Sequence, residues 1–399
     1  MFLEPLRRRN PRLLEAAIAL HQAGKIPANT YLIDLDAVEA NAKAISTEAR
    51  RLGLTVFAMT KQMGRNGDYC RAIMRGGIDA SVNVDMECAR ATHRAGMKVG
   101  HVGHLVQIPR AEADTAASFA PDYWTVFNQE KAEEAAVAST RRGQRQKLLA
   151  RIQSAGDRFY RGHEGGFDAV DVVTVADSID ALPGAHFAGI TTFPALLFDP
   201  STRKVAPTPN LATLHAAAEG LAKAGRRDIA INAPGTTSSA VLRALAEAGS
   251  TQVEPGHGLT GTTPLHAVEE LPELPAVVYV SEVSHLHGSE AYCFGGGLYI
   301  DPIFPDYAVK AIVAREPTVA ASALFTVEIP PPAAIDYYGI IDAAFGATKP
   351  QIGDTVVFGF RPQVFVTRAH TCGVSGLASR APIAGTIHDA FGRSVDWPQ

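Results

Sequence analysis

The sequence predicts an α/β fold, a (β/α)8 TIM-type barrel followed by a C-terminal antiparallel β-domain. Three observations predict it. The chain has 399 residues, 46% hydrophobic and only 20% charged, enough to bury a large core. Short β-branched or aromatic runs alternate with Ala/Glu/Arg-rich amphipathic stretches through its first two-thirds. After Thr262 that beat gives way to prolines and short strand-like runs. The composition excludes a disordered protein, and a net charge of −4 argues against a basic nucleic-acid-binding surface. Cys70, Cys88, Cys293 and Cys372 show no close pairing, which fits a reducing compartment better than a disulfide framework.

The opening residues 3–23 read as an extra helix. Residues 13–20 are interrupted by Glu15 and followed by His21, too short and too polar for a signal segment. No run approaches the roughly 18 apolar residues of a membrane span. A soluble, cytoplasmic protein is the expectation. The strand-like runs are 31–36, 55–60, 80–84, 99–105, 123–127, 148–153, 186–193, 228–233 and 251–254. Between them, residues 37–52, 86–95, 129–142, 211–224 and 238–248 carry helical pattern. Alternation of this kind indicates βα units and a parallel sheet. Eight or nine strands over roughly 225 residues fit the barrel. An open doubly wound sheet would want a Gly-rich dinucleotide turn after its first strand, and none is present.

Beyond the barrel, Pro264, Pro272, Pro275, Pro302, Pro305 and Pro317 punctuate the chain, and Pro330, Pro331 and Pro332 stand together. Residues 276–283, 308–314, 355–360 and 363–367 look like strands, so a β-rich domain follows. The expected organisation is an N-terminal helical segment (1–29), the barrel (30–262) and the β-domain (263–399).

Residues that could carry chemistry lie at strand ends. Lys61 closes the run Val56-Phe57-Ala58-Met59-Thr60, at the C-terminal end of a barrel strand, where such folds place their active sites. A lysine against apolar walls loses its proton more easily and forms a Schiff base with an aldehyde; the plain alternative is an exposed strand-end lysine. Glu254 stands in Val253-Glu254-Pro255-Gly256-His257-Gly258 at the end of the last strand. A carboxylate there could hold a proton on a pyridine nitrogen, with Gly256 and Gly258 opening backbone amides to a phosphate. The same string also reads as a turn. The loop Asn232-Ala233-Pro234-Gly235-Thr236-Thr237-Ser238-Ser239 leads from a strand towards a helix and offers amides and hydroxyls as an anion cradle, or simply a cap. Two successive strand ends are where barrel enzymes frequently bind phosphate.

With these residues in hand, the chain resembles the fold-type III pyridoxal 5'-phosphate enzymes, the alanine racemase-like superfamily, and most of all its YhfX-like branch. The resemblance covers essentially the whole chain. Its markers are Tyr31-Leu32-Ile33-Asp34-Leu35-Asp36, Ala58-Met59-Thr60-Lys61-Gln62, Gly103-His104-Leu105-Val106-Gln107, Asn232-Ala233-Pro234 and Glu254-Pro255-Gly256-His257. It implies that Lys61 holds the cofactor as a Schiff base, and that Gly235, Thr236, Thr237 and Gly256 cradle its phosphate, with His257 beside them. It also implies that Arg151 supports the ring. His104 reads as a ring-stacking or oxygen-contacting neighbour, or as a buried, hydrogen-bonded histidine. Asn232 is similarly placed, or caps.

Alanine racemase carries arginine at the position of Glu254. An acid there stabilises a pyridinium, strengthens the ring as an electron sink and opens Cα chemistry beyond strict alanine racemisation. Racemases of the superfamily use a tyrosine from the partner subunit as second base; Phe294 aligns with it here, leaving Tyr292 or Cys293 to take over. A thiolate serves only if its pKa is lowered. His285, His287 and Cys293 suggest a metal reading, as in D-serine dehydratase and D-threonine aldolase relatives, but they lack a clear carboxylate partner and no metal is expected. Residues 162–167 read as a loop lining the site, Arg361 and Arg368 as strand arginines able to meet a carboxylate, and Trp124 as core. The resemblance implies a homodimer with shared sites, small amino acid substrates, and neither nucleic acid nor membrane as partner. The expected function is an amino acid racemase. The alternatives are a metal-assisted D-3-hydroxy amino acid aldolase or dehydratase, and a cofactor-binding homeostasis protein without turnover.

Overall fold

The computed structural model describes residues 2–299, 301–304, 307–318, 324–344 and 349–397. These fall into two compact units, one of residues 42–60 and 73–258, the other of residues 1–41, 61–72 and 259–399.

The first unit holds the parallel sheet. Its strands run, in spatial order, Thr55–Val56, Gln252–Val253, Ala230–Asn232, Ala185–Thr191, Gln146–Gln153, Tyr123–Val126, Lys98–Val102, Ala80–Asn83 and Ala58–Met59. The first and last of these are one run interrupted at Phe57, so the ring closes on itself as a barrel. Two backbone bonds seal the join, Phe57 N–H to Val253 O at 3.0 Å and Met59 N–H to Pro255 O at 2.9 Å. Helices Met86–Arg94, Gln129–Thr140, Val172–Asp180 and Pro209–Lys223 alternate with the strands. Two begin on side-chain caps, Asp85 accepting from the Cys88 amide and Asn128 from the Lys131 amide. Residues 238–248 make a single 3₁₀ turn, Ser239–Val241, and a short helix, Leu242–Glu247. A hairpin absent from the sequence reading, Leu196–Asp199 with Lys204–Pro207, is inserted before Pro209–Lys223.

The second unit is built on a nine-stranded sheet. Six of its strands close an antiparallel ring: Val277–His287, Glu290–Phe294, Tyr338–Asp342, Leu324–Glu328, Lys310–Ala314 and Thr355–Phe358. The other three extend it. Thr30–Asp34 lies antiparallel to Val277–His287 and parallel to His370–Ser375, and Ile383–His388 forms the edge. The run expected to open the barrel thus belongs to this sheet. Its residues are buried on both faces and suit either sheet, so the local sequence does not choose. Residues 363–367 also depart from expectation, forming a 3₁₀ turn (Val364–Val366) rather than a strand.

The opening helix is two helices, Leu3–Arg9 and Pro11–Gln22. Pro11 suits a first helical position. Asn10 at the break donates to Asp34 Oδ2 (2.8 Å) and Pro275 O (3.0 Å), fixing the corner. Leu13, Leu14, Ala17 and Ile18 form an apolar stripe packed against Leu32, Val278, Val280 and Val357. Each leucine so buried contributes about 2 kcal/mol relative to exposure. Among the described residues, no helix is long and apolar enough to cross a membrane.

Candidate active site

The strongest polar constellation gathers where barrel strands end. Glu254 follows Gln252–Val253 directly, and Asn232 is the last residue of Ala230–Asn232. Asn232 Nδ2 donates to Glu254 Oε1 at 2.9 Å, and Thr191 Oγ1 donates to Asn232 Oδ1 at 2.7 Å, which fixes the amide's orientation. His101 Nδ1 lies 2.7 Å from the same Oε1, while its Nε2 lies 2.6 Å from Thr125 Oγ1. His104 Nε2 lies 3.1 Å from Oε2. Gly103 lets both histidines of one strand end reach one carboxylate: it sits at φ +75°, and a Cβ there would stand 2.5 Å from Thr125 O.

All these groups are buried. Burial alone would raise the Glu254 carboxyl, but His104, His101 and Asn232 more than reverse that and hold it below the ordinary carboxylate value. Sequence reading had assigned Glu254, His104 and Asn232 but missed His101, Thr125 and Thr191. The spacing Gly100-His101-Val102-Gly103-His104 was the available signal, because alternation turns His101 away from Gly100 and Val102.

Arg151, on Gln146–Gln153, is fully buried between Phe127 and Phe159, whose ring centroids lie 4.6 and 5.7 Å from Cζ. Its Nη2 donates to His163 O, whereas Nε and Nη1 have no hydrogen-bond partner among the described residues. Burial lowers its pKa to about 10, which still leaves a cation at neutral pH. The loop expected to line the site packs here: a Cβ on Gly166 would approach Arg151 O to 2.7 Å.

The two expected phosphate loops meet. A Cβ on Gly258 would lie 2.5 Å from Thr237 O, so the close approach requires glycine. Gly235 and Thr236 are largely occupied by the inserted hairpin. A Cβ on Gly235 would meet Leu196 O at 2.6 Å, and the Thr236 amide donates to Leu196 O at 3.1 Å. That correction leaves the Thr236 hydroxyl and Thr237, rather than the Thr236 amide, for an anion. Gly256 and His257 are buried, His257 opening the 3₁₀ turn His257–Thr260.

Lys61 follows the strand Ala58–Met59 after Thr60 and opens the 3₁₀ turn Lys61–Met63. It is half-buried, with Nζ 4.4 Å from the Phe365 ring centroid, a contact the sequence reading missed.

The candidates for a second base divide sharply. Tyr292 is half-buried, stacked on His285 at 4.5 Å, and donates to Glu290 Oε2 at 2.8 Å, which raises its pKa. Cys293 points into the interior, and burial pushes its thiol up to about 12. A thiolate base needs the opposite shift, so Cys293 is corrected to a packing residue. Phe294 is part-exposed beside Tyr338. His285, His287 and Cys293 do not form a three-ligand cluster; among the described residues that arrangement occurs only at His101, His104 and Glu254. Arg361 and Arg368 lie off any strand. Arg361 pairs with Asp301, and Arg368 donates to the Asp336 carbonyl at 2.5 Å.

Comparison with known proteins agrees with this architecture. Residues 33–264 match the model of the alanine racemase N-terminal domain. Across 92% of this chain and 99% of the other, the fold superposes on alanine racemase of Clostridium difficile 630 in complex with cycloserine (TM-score 0.62, 14% identity). D-threonine aldolase from Filomicrobium marinum matches over 93% and 96% (TM-score 0.66, 17% identity). D-threo-3-hydroxyaspartate dehydratase from Delftia sp. HT23 matches over 90% and 97% (TM-score 0.62, 15% identity). The chain belongs to the alanine racemase-like family, whose shared fold carries racemases, an aldolase and a dehydratase. Within that family it falls with the YhfX-like proteins. Residues 278–383 match the YhfX-like C-terminal domain, and the whole chain is 38% identical over 397 residues to the uncharacterized protein YhfX of Escherichia coli (strain K12), covering 99% of this chain and all of that one. Alanine racemase-fold proteins typically bind pyridoxal phosphate and commonly act as dimers on small molecules.

Proposed function

We propose that this protein is a pyridoxal 5'-phosphate-dependent amino acid racemase, an isomerase working as a cytoplasmic homodimer with shared sites. The observation that carries the cofactor part of the reading is the buried Glu254 carboxylate, held by His101 and Asn232 with His104 beside it where barrel strands end. The residues present fit the cofactor. Arg151 offers two buried donor atoms, Nε and Nη1, without partners among the described residues, suited to an anionic ring oxygen. Glu254 is an acceptor suited to a protonated ring nitrogen. Thr237 and the Gly258 turn make a narrow, glycine-dependent approach suited to a phosphate.

Bound pyridoxal phosphate supplies an electron sink that acidifies the substrate's Cα–H bond. Lys61 would hold it covalently and take or return the Cα proton on one face through Nζ. Inversion needs a second group on the opposite face, and Tyr292 is the remaining acid–base candidate of the pair. His104, Asn232, the Thr236 hydroxyl, Gly256 and His257 complete the proposed binding set.

Deuterium wash-in at Cα across a panel of D- and L-amino acids tests the reading. Exchange with accumulation of the opposite enantiomer is expected for at least one. Exchange without inversion would redirect the assignment to other Cα chemistry. No exchange with any amino acid would favour a cofactor-binding protein without turnover. The metal-assisted aldolase or dehydratase alternative fails if activity survives thorough chelation.

A further inference from the structure

Glu254 has four lone-pair sites, and the two on Oε1 are met by His101 Nδ1 and Asn232 Nδ2, while Oε2 has no hydrogen-bond partner among the described residues, with His104 Nε2 3.1 Å away. An ionised carboxylate is an acceptor only, so His101 Nδ1 and Asn232 Nδ2 must each carry a proton towards Oε1. His101 is fixed from behind, since Thr125 Oγ1 lies 2.6 Å from Nε2. Gly103 supplies the turn that brings the second histidine to the other oxygen. Gln252 Oε1 also faces the cluster, 3.4 Å from Asn232 Nδ2.

We infer that His101 and His104 are positioning residues that hold Glu254 as an oriented anion with acceptor capacity open on Oε2, so that the site selects a ligand presenting a cationic N–H there. The inference deepens the cofactor reading and rests on it only for the identity of that ligand as the pyridinium of the cofactor. A neutral pyridine nitrogen, itself an acceptor, would face a carboxylate with nothing to donate. The site would then favour the protonated ring at pH values where free pyridine nitrogen is bare.

The test has two arms. In the cofactor-free protein, 15N-histidine and 13C-glutamate NMR should show His101 as the Nδ1–H tautomer and the Glu254 carboxyl ionised at pH 6. An Nε2–H tautomer, or a protonated Glu254 at that pH, overturns the inference whatever the cofactor proves to be. In the protein loaded with ring-15N pyridoxal phosphate, the nitrogen should remain protonated to pH 9. His101→Leu should lower its proton affinity about tenfold or more, one pH unit of titration midpoint, and His104→Leu should act in the same direction. His101→Asn, which places an amide donor near the Nδ1 position, should restore most of the shift while circular dichroism stays unchanged. An identical midpoint in both leucine variants overturns the inference. So does stoichiometric zinc retained by the purified protein and lost in His101→Asn, because the cluster would then be a metal site. Failure to bind pyridoxal phosphate at all would sink the functional reading but leave the first arm standing.

Discussion

Glu254 and Cys293 are both buried acids, and their surroundings push them in opposite directions. Glu254 sits among two imidazoles and an amide and is held below its ordinary value. Cys293, with weaker hydrogen bonds from Ser281 and Gly339, is pushed up to about 12. Burial sets the penalty for a charge; the number and strength of donors decide whether the charge survives. The carboxylate is equipped to stay ionised, and the thiol is equipped to pack. Tyr292, one residue away, stands between these cases, its hydroxyl tied to an acid that raises it.

Substitutions can break or sharpen that contrast. The largest effect should come from Lys61→Ala, which is expected to abolish covalent cofactor attachment and lower Cα exchange by about 10³-fold or more. Borohydride trapping followed by peptide mapping checks the first, and deuterium wash-in the second. Tyr292→Phe should slow inversion by about 10²-fold or more if its hydroxyl serves the second face. An unchanged inversion rate moves that role elsewhere. Arg151→Met removes the buried donors and should weaken cofactor binding by roughly tenfold to a hundredfold, read by fluorescence titration. Cys293→Ala should leave the exchange rate within about twofold at every pH between 6 and 9, since a thiol this high never supplies a thiolate there. A large loss would erase the contrast.

Stability should show the same logic without any cofactor. His21 is held neutral by burial, its pKa lowered to about 4, with Nδ1 2.8 Å from Thr355 Oγ1. Its nearest carboxyl, Glu282 at 3.2 Å, is itself raised by burial and gives little help. The unfolded chain takes up a proton near the ordinary histidine value while the folded chain refuses it. Stability should therefore fall as pH drops from about 6.5 to 4, by at most about 3 kcal/mol from this group. His21→Gln should flatten that segment of a urea-melt series.

Much of the scaffold was legible in the chain. Barrel strands announced themselves because β-branched runs recurred between helical stretches, and Lys61 and Glu254 because they ended such runs. Pairing partners were not legible. Residues 30–34 read as a strand from local pattern, but nothing local says that Tyr31 lies beside Tyr279 and Thr371. Residues 363–367 carry the β-branched and aromatic run Val364-Phe365-Val366 typical of a strand, yet Val364 turns inward against Gly64 in a 3₁₀ turn. His101 escaped notice because a single histidine in an alternating strand looks like filler until its carboxylate is seen.

The strand Thr30–Asp34 has a consequence for how the chain comes into being. Its hydrogen-bonding neighbours are residues 277–280 on one side and 370–374 on the other. A ribosome must reach residue 374 before both flanks exist. Until then the opening segment waits with its backbone donors and acceptors unmatched, while residues 73–258 can already collapse around their own ring. Birth order and assembly order run in opposite senses for this strand, which makes residues 370–374 the clasp that secures residues 30–34.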